Sequence, residues 1–177
     1  MTTTTTTLRL SGYAPSRVPA RRAAELRLLV DHFNTEYCAV LDSGHIEEWP
    51  GFFTEDCIYR ITARENAELG LPVGLVYAEG RAMLHDRAVA IARTQMFAPR
   101  TMIHILSHAR ILDEHGADLV AECNFALLQT LVEGPTTLHL AGTYHDRLHR
   151  KDDGLLLRER QVVYDSSVIA NDLVYPV

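Results

Sequence analysis

No stretch of this sequence approaches the roughly 18 consecutive apolar residues of a membrane span, which excludes a helical membrane protein. Excess positive charge is missing too. Seventeen lysines and arginines face 23 aspartates and glutamates, for a net charge of -6. A nucleic-acid surface needs a basic stripe that displaces counterions, so that function class drops out. Cysteine is scarce: Cys38, Cys57 and Cys123 are widely spaced and odd in number. They suit reduced thiols of a cytoplasmic protein better than a disulfide framework. The N-terminus carries a threonine tract and lacks the apolar core of a secretory signal, so residues 1–18 are expected to form a disordered tail. What remains is 177 residues at 47% hydrophobic composition, enough for one filled core. A single domain over residues 19–177 is the expectation.

The first half of that domain has helical spacing. Leu26, Leu29, Val30, Phe33, Tyr37, Val40 and Leu41 make the stripe of a long amphipathic helix that starts near Pro19. Asp42-Ser43-Gly44 ends it, with Gly44 suited to a left-handed cap. A short second helix follows, with Glu47 and Glu48 in its first turn and Trp49, Phe52 and Phe53 as its core anchor. Residues 57–62 read as a strand, 64–74 as a loop with room for one helical turn, and 75–77 as a short strand. Helical spacing returns over 82–95. Beyond Pro99 the pattern becomes long strands, at 101–112, 118–132, 136–149 and 155–165, separated by turn clusters. Helices first and an antiparallel meander second predict an α+β domain, a curved sheet wrapped around the long helix.

Nine histidines invite a metal hypothesis. His104 and His108 lie four apart, as do His145 and His149. Both pairs fall in expected strands, where four residues span roughly 13 Å, too far for two ligands of one ion. They read as structural or interface histidines. A Rieske centre needs Cys-x-His and Cys-x-x-His pairs, and no cysteine here has a histidine two or three residues on. No metal, cofactor or catalytic residue is therefore assigned to this chain. Asp31 and His32, with Tyr37 beyond, could serve as acid/base equipment in a cone-shaped pocket; the plainer reading puts Asp31 and His32 on the polar side of the helix and Tyr37 in the core. Neither a phosphate-binding glycine loop nor a Gly-x-Ser-x-Gly elbow is present. The arginines suggest contacts instead. Arg81, Arg87, Arg93 and Arg100 surround the third helix, and Arg147, Arg158 and Arg160 sit on the late strands. Asp86-Arg87 and Asp146-Arg147 place a carboxylate beside a guanidinium, as ion-pair networks at subunit contacts do. Arg81, Arg87, Arg100, His104, Asp146 and Arg147 are the candidate interface residues.

An ordered series of segments then resembles a known family. Residues 37–42, Glu48-Trp49-Pro50 and residues 53–60 are similar to the opening of aromatic-ring-hydroxylating dioxygenase β subunits. Arg64-Glu65-Asn66 with Gly70-Leu71-Pro72, Met83-Leu84-His85-Asp86-Arg87, Pro99-Arg100 with His104, and residues 142–150 continue the series in order. The resemblance implies a nuclear-transport-factor-2-like fold and an α3β3 hexamer. In it the α subunit carries the Rieske [2Fe–2S] cluster and the mononuclear Fe(II), and the β subunit holds α subunits in register. Electrons would come from NAD(P)H through ferredoxin and reductase components. The pattern around Arg64 looks nearest to terephthalate dioxygenase and salicylate 5-hydroxylase, which implies a carboxylated single-ring substrate. Two other readings compete with it. One is a stand-alone isomerase or dehydratase on the same fold, sensitive to Asp31 or His104; the other is a small-ligand binding module.

Overall fold

A computed structural model describes residues 8–94, 98–166 and 175–177. The threonine tract 2–7 lies outside the described residues, as does Gln95, the expected end of the third helix. The long helix α1 spans Ala20–Asp42 and is followed by a 3-10 helix, Ile46–Phe52. Then come β1 (Phe53–Ala63), the short α2 (Arg64–Glu68), β2 (Val76–Glu79) and α3 (Arg81–Arg93). Five strands complete the chain: β3 (Arg100–Leu106), β4 (Arg110–His115), β5 (Asp118–Leu131), β6 (Thr136–Lys151) and β7 (Gly154–Tyr164). Gly44 has φ of 78°, the left-handed geometry expected where α1 turns into the 3-10 helix.

The strands form one sheet in the order β2-β1-β7-β6-β5-β3, with β4 also paired to β5. The run β5-β6-β7 is the antiparallel meander. β1 joins it in parallel to β7, so the N-terminal hairpin β1-β2 is carried across to the far edge. α1 packs on β3, β4 and β7, and α3 on β1, β2 and the 3-10 helix. Together they cover the concave face. The buried stripe of α1 is Leu26, Val30, Phe33, Asn34, Tyr37, Cys38 and Leu41, in steps of four, three and one that keep to one helical face. Trp49 anchors the core at no exposure, with edge-to-face contacts to Phe53 at 5.5 Å and Tyr59 at 5.1 Å.

Two expectations change in detail. The strand expected over 101–112 is broken into β3 and β4 by Ser107, His108 and Ala109, which face only the neighbouring pair Cys123 and Asn124 of β5. The extra residue bends the sheet over α1. No glycine or proline marks the bend, because its backbone is satisfied by side chains. Asp31 of α1 accepts from Ala109 N at 2.7 Å, and Ser107 Oγ accepts from Asn124 N at 3.0 Å. Within the expected tail, Arg17 N donates to Leu112 O at 2.8 Å and its guanidinium pairs with Asp113 at 3.2 Å, which ties this part of the chain to β4.

Candidate functional site

The interior of the curved sheet is where a small-molecule pocket would lie in such an architecture. Three neighbouring elements aim polar groups into it. Asp146 and Arg160 are register partners on β6 and β7, and both point inward. Asp146 is 1% exposed and Arg160 0%. Arg160 Nε donates to Asp146 Oδ1 at 2.8 Å and its Nη2 to Oδ2 at 2.7 Å, a bidentate pair; Nη2 also reaches Asn34 Oδ1 of α1 at 2.7 Å. The guanidinium is sandwiched between the rings of Tyr37 at 4.3 Å and Tyr144 at 4.2 Å. Burial alone would weaken its hold on its proton, but the Asp146 carboxylate outweighs that, so Arg160 stays charged.

Above this pair the aromatic hydroxyls close a second network. Trp49 Nε1 donates to Tyr37 Oη at 2.8 Å, and Tyr37 Oη donates to the Val177 backbone oxygen at 3.1 Å. Tyr59 Oη donates to the same oxygen at 3.1 Å and accepts from Val177 N at 2.9 Å. Val177 is itself fully buried. Burial pushes the Tyr59 hydroxyl up to about 12 and those of Tyr37 and Tyr144 well above the usual range, so all three remain neutral, Tyr37 and Tyr59 as donors to Val177. Among the described residues these side chains and Val177 take up this part of the interior, with Asn34 Nδ2, Tyr144 Oη and Arg160 Nη1 buried and without a hydrogen-bond partner.

The acid/base candidates are not brought together. Asp31 serves the β3–β4 break, where it also meets His108 Nδ1 at 2.9 Å; His32 is exposed; Tyr37 is in the core. His104 pairs with a different carboxylate. Its Nδ1 lies 2.6 Å from Asp42 Oδ1 and its backbone N 3.0 Å from Oδ2, with its side chain 2% exposed. That double contact offsets the poor placement of an aspartate at the C-terminal end of α1.

The interface candidates scatter as well. Arg81 on α3 pairs with Glu55, Arg87 lies half-buried on the same helix, and Arg100 at the start of β3 donates to Gln129 Oε1 at 3.1 Å. Arg147 on the outer face of β6 faces Glu159 at 3.6 Å. Asp146 does not belong with them. Sequence adjacency suggested an Asp146–Arg147 pair, but neighbouring residues of a strand point to opposite faces. Its partner is Arg160, which had been grouped with the surface arginines. The signal was there in the alternation: Asp146 lies between Tyr144 and Leu148, and Arg160 two residues before Val162, all buried. Asn34 and Val177 were missed; Asn34 keeps the helical spacing of the α1 stripe, whereas nothing local marks Val177.

His145 and His149 lie along β6, as the strand reading had them. His149 Nδ1 meets Asp118 at 2.6 Å, and His145 Nδ1 lies 4.0 Å from Glu122. Burial holds His145 below its ordinary value, with Glu122 and Asp146 opposing. The unfolded state then binds the proton first. Stability contributed by neutral His145 is full above about pH 6.5 and falls as pH drops from there toward the folded value. The urea midpoint of His145→Gln should therefore fall less than that of the unmodified protein between about pH 7 and pH 5. Parallel curves would show that burial does not perturb this residue.

The three cysteines sit on α1, β1 and β5, all buried, with Cys38 pushed up to about 12 and Cys57 to about 11 by burial. Such thiols do not offer the paired thiolates of an iron–sulfur centre. Among the described residues no group of three or more His, Cys, Asp or Glu side chains could hold a metal ion. The described residues offer neither the Cys/His pairs of a Rieske centre nor a grouped ligand set for a mononuclear iron. No described helix is long and apolar enough to cross a membrane.

Large apolar side chains stand open at both ends of the sheet. Leu69, Leu71, Val73, Leu75 and Tyr77 alternate along the ribbon that leads into edge strand β2. Ile103 and Ile105 on edge strand β3, with Leu131, Val132 and Leu138, form the counterpart at the other end. Patches of this kind mark contact surfaces.

Comparison with known proteins finds relatives over most of the chain. The anthranilate 1,2-dioxygenase small subunit of Burkholderia cepacia is 36% identical over 141 residues, 80% of this chain and 88% of that one. The terephthalate 1,2-dioxygenase terminal oxygenase component subunit beta 1 of a Comamonas species is 34% identical over 145 residues, 82% of this chain and 94% of its own. A solved chain from Novosphingobium aromaticivorans, assigned as the beta subunit of an aromatic-ring-hydroxylating dioxygenase, superposes with a TM-score of 0.81 at 33% identity, covering 88% of this chain and 99% of that one. The fold is the expected nuclear-transport-factor-2-like one. The family described as "Ring hydroxylating beta subunit" matches residues 38–171, which hold the Tyr144–Asp146–Arg160 cluster and both open edges, and the chain belongs to that family: it is the β subunit of a ring-hydroxylating dioxygenase acting on aromatic compounds.

Proposed function

We propose that this chain is the non-catalytic scaffold of its oxygenase, holding iron-bearing α subunits in register within an α3β3 hexamer. The observation that carries this reading is the occupied interior: Arg160, Asp146, Asn34 and the Tyr37–Trp49–Tyr59–Val177 network fill the space where a stand-alone enzyme of this fold would need a free acid/base pair. The cluster and the Fe(II) belong to the partner, fed from NAD(P)H through ferredoxin and reductase components. A carboxylated single ring is the proposed substrate class, as the names of the anthranilate and terephthalate relatives suggest. What this chain supplies is a close-packed sheet on which the interfaces are built.

Expression alone and with the product of the adjacent open reading frame tests the reading. Co-expression should give a hexamer with Rieske absorption, and the isolated chain should show none. Alanine at Arg87 or Arg147 should lower the hexamer yield and leave the iron per α subunit unchanged. A chain that purifies as a stable monomer or dimer and binds no cluster-bearing partner would defeat the proposal. So would isomerase or dehydratase activity that is lost with Asp31→Asn.

A further inference from the structure

Helix α1 exposes an apolar row that its own fold does not cover. Leu29 belongs to the sequence stripe of the helix, yet it is 47% exposed, and Leu28 beside it is 69% exposed. Leu29 lines a groove of about 560 Å³ between α1, the end of the 3-10 helix and the β6–β7 turn. Its floor is apolar, made by Leu29, Phe33, Phe52, Leu155 and Leu156. Its rim carries Glu36, Asp152 and Asp153, all exposed. The one lining guanidinium, Arg150, is engaged by Glu114 at 2.9 Å and by the Gly116 carbonyl, so it leaves the rim acidic.

We propose that this groove receives a segment of the catalytic partner subunit in which a large apolar side chain is flanked by lysine or arginine. The inference rests on the scaffold reading above and adds to it where one contact lies. Charge complementarity identifies the occupant: three carboxylates around an apolar floor attract a cationic, apolar-tipped segment and repel an acidic one. Leu28, next to Leu29 on α1 and 69% exposed, is not among the groove lining and carries apolar surface beyond the groove mouth. A chain segment uses such a continuation; a small molecule held in the groove does not.

The test co-expresses the partner with three forms of this chain: unmodified, E36K/D153K and Leu29→Glu. Because all three positions are exposed, each variant should fold alone, with Tm within about 2 °C of the parent. In about 0.1 M salt both variants should bind the partner at least tenfold more weakly, and binding of the parent should weaken as salt rises. Equal assembly by all three forms overturns the groove assignment and leaves the scaffold reading standing. Loss of self-association by the variants, with partner binding intact, also overturns it, since the occupant would then be a second copy of this chain. If the unmodified chain captures no cluster-bearing partner, the scaffold reading itself falls.

Discussion

Alanine at Asp146 is expected to destabilise the chain by about 3–5 kcal/mol, the usual cost of removing one partner from a buried ion pair. Arg160 would then keep a full charge at 0% exposure, between two tyrosine rings, with only Asn34 left to accept from its Nη2. For a chain of this size the loss corresponds to a fall in Tm of roughly 6–20 °C. The paired replacement Asp146→Leu with Arg160→Met should cost much less than either change alone, because apolar side chains of similar volume leave no stranded charge. Urea unfolding at neutral pH of the two single variants and the double variant measures the coupling. A single-variant cost below about 1 kcal/mol would mean that the pair is hydrated and not the closed cluster described above. The pair also matters for specificity of the fold, since it fastens β6, β7 and α1 at one point.

Gly142→Ala should be nearly as damaging, by a different route. A Cβ at this position would lie 2.1 Å from the Val163 carbonyl oxygen and 2.8 Å from Tyr164 Cα, both backbone atoms of β7. No rotamer can relieve that overlap, so β6 and β7 must separate where Gly142 and Tyr164 are register partners. A loss of about 3 kcal/mol or more is expected, at the upper end of overpacking effects. The contrast is Gly116→Ala. Its φ of 60° is strained for alanine, but nothing lies within 4 Å, so the cost should be only about 1 kcal/mol. Equal costs at the two glycines would show that β7 can move away from β6 without penalty.

Most of the architecture was legible from local pattern. The α1 stripe, the left-handed Gly44 and the turns between β5, β6 and β7 all depend on residues close in sequence. The β3–β4 break was not, because its backbone is satisfied by Asp31, 78 residues away from Ala109. The interface candidates illustrate the same limit. Asp146 and Arg147 were read together by adjacency, the one relation that a strand sends to opposite faces.

Sequence by itself determined the class of fold, the helical and strand periods and, through an ordered series of short motifs, the family. It could do so because periodicity and turn chemistry act over a few residues. Only the tertiary structure decided which charges are buried and which are open. Asp146 meets Arg160, Tyr37 and Tyr59 meet Val177, and Leu29 is left uncovered, because burial is set by what packs opposite, and that comes from elsewhere in the chain.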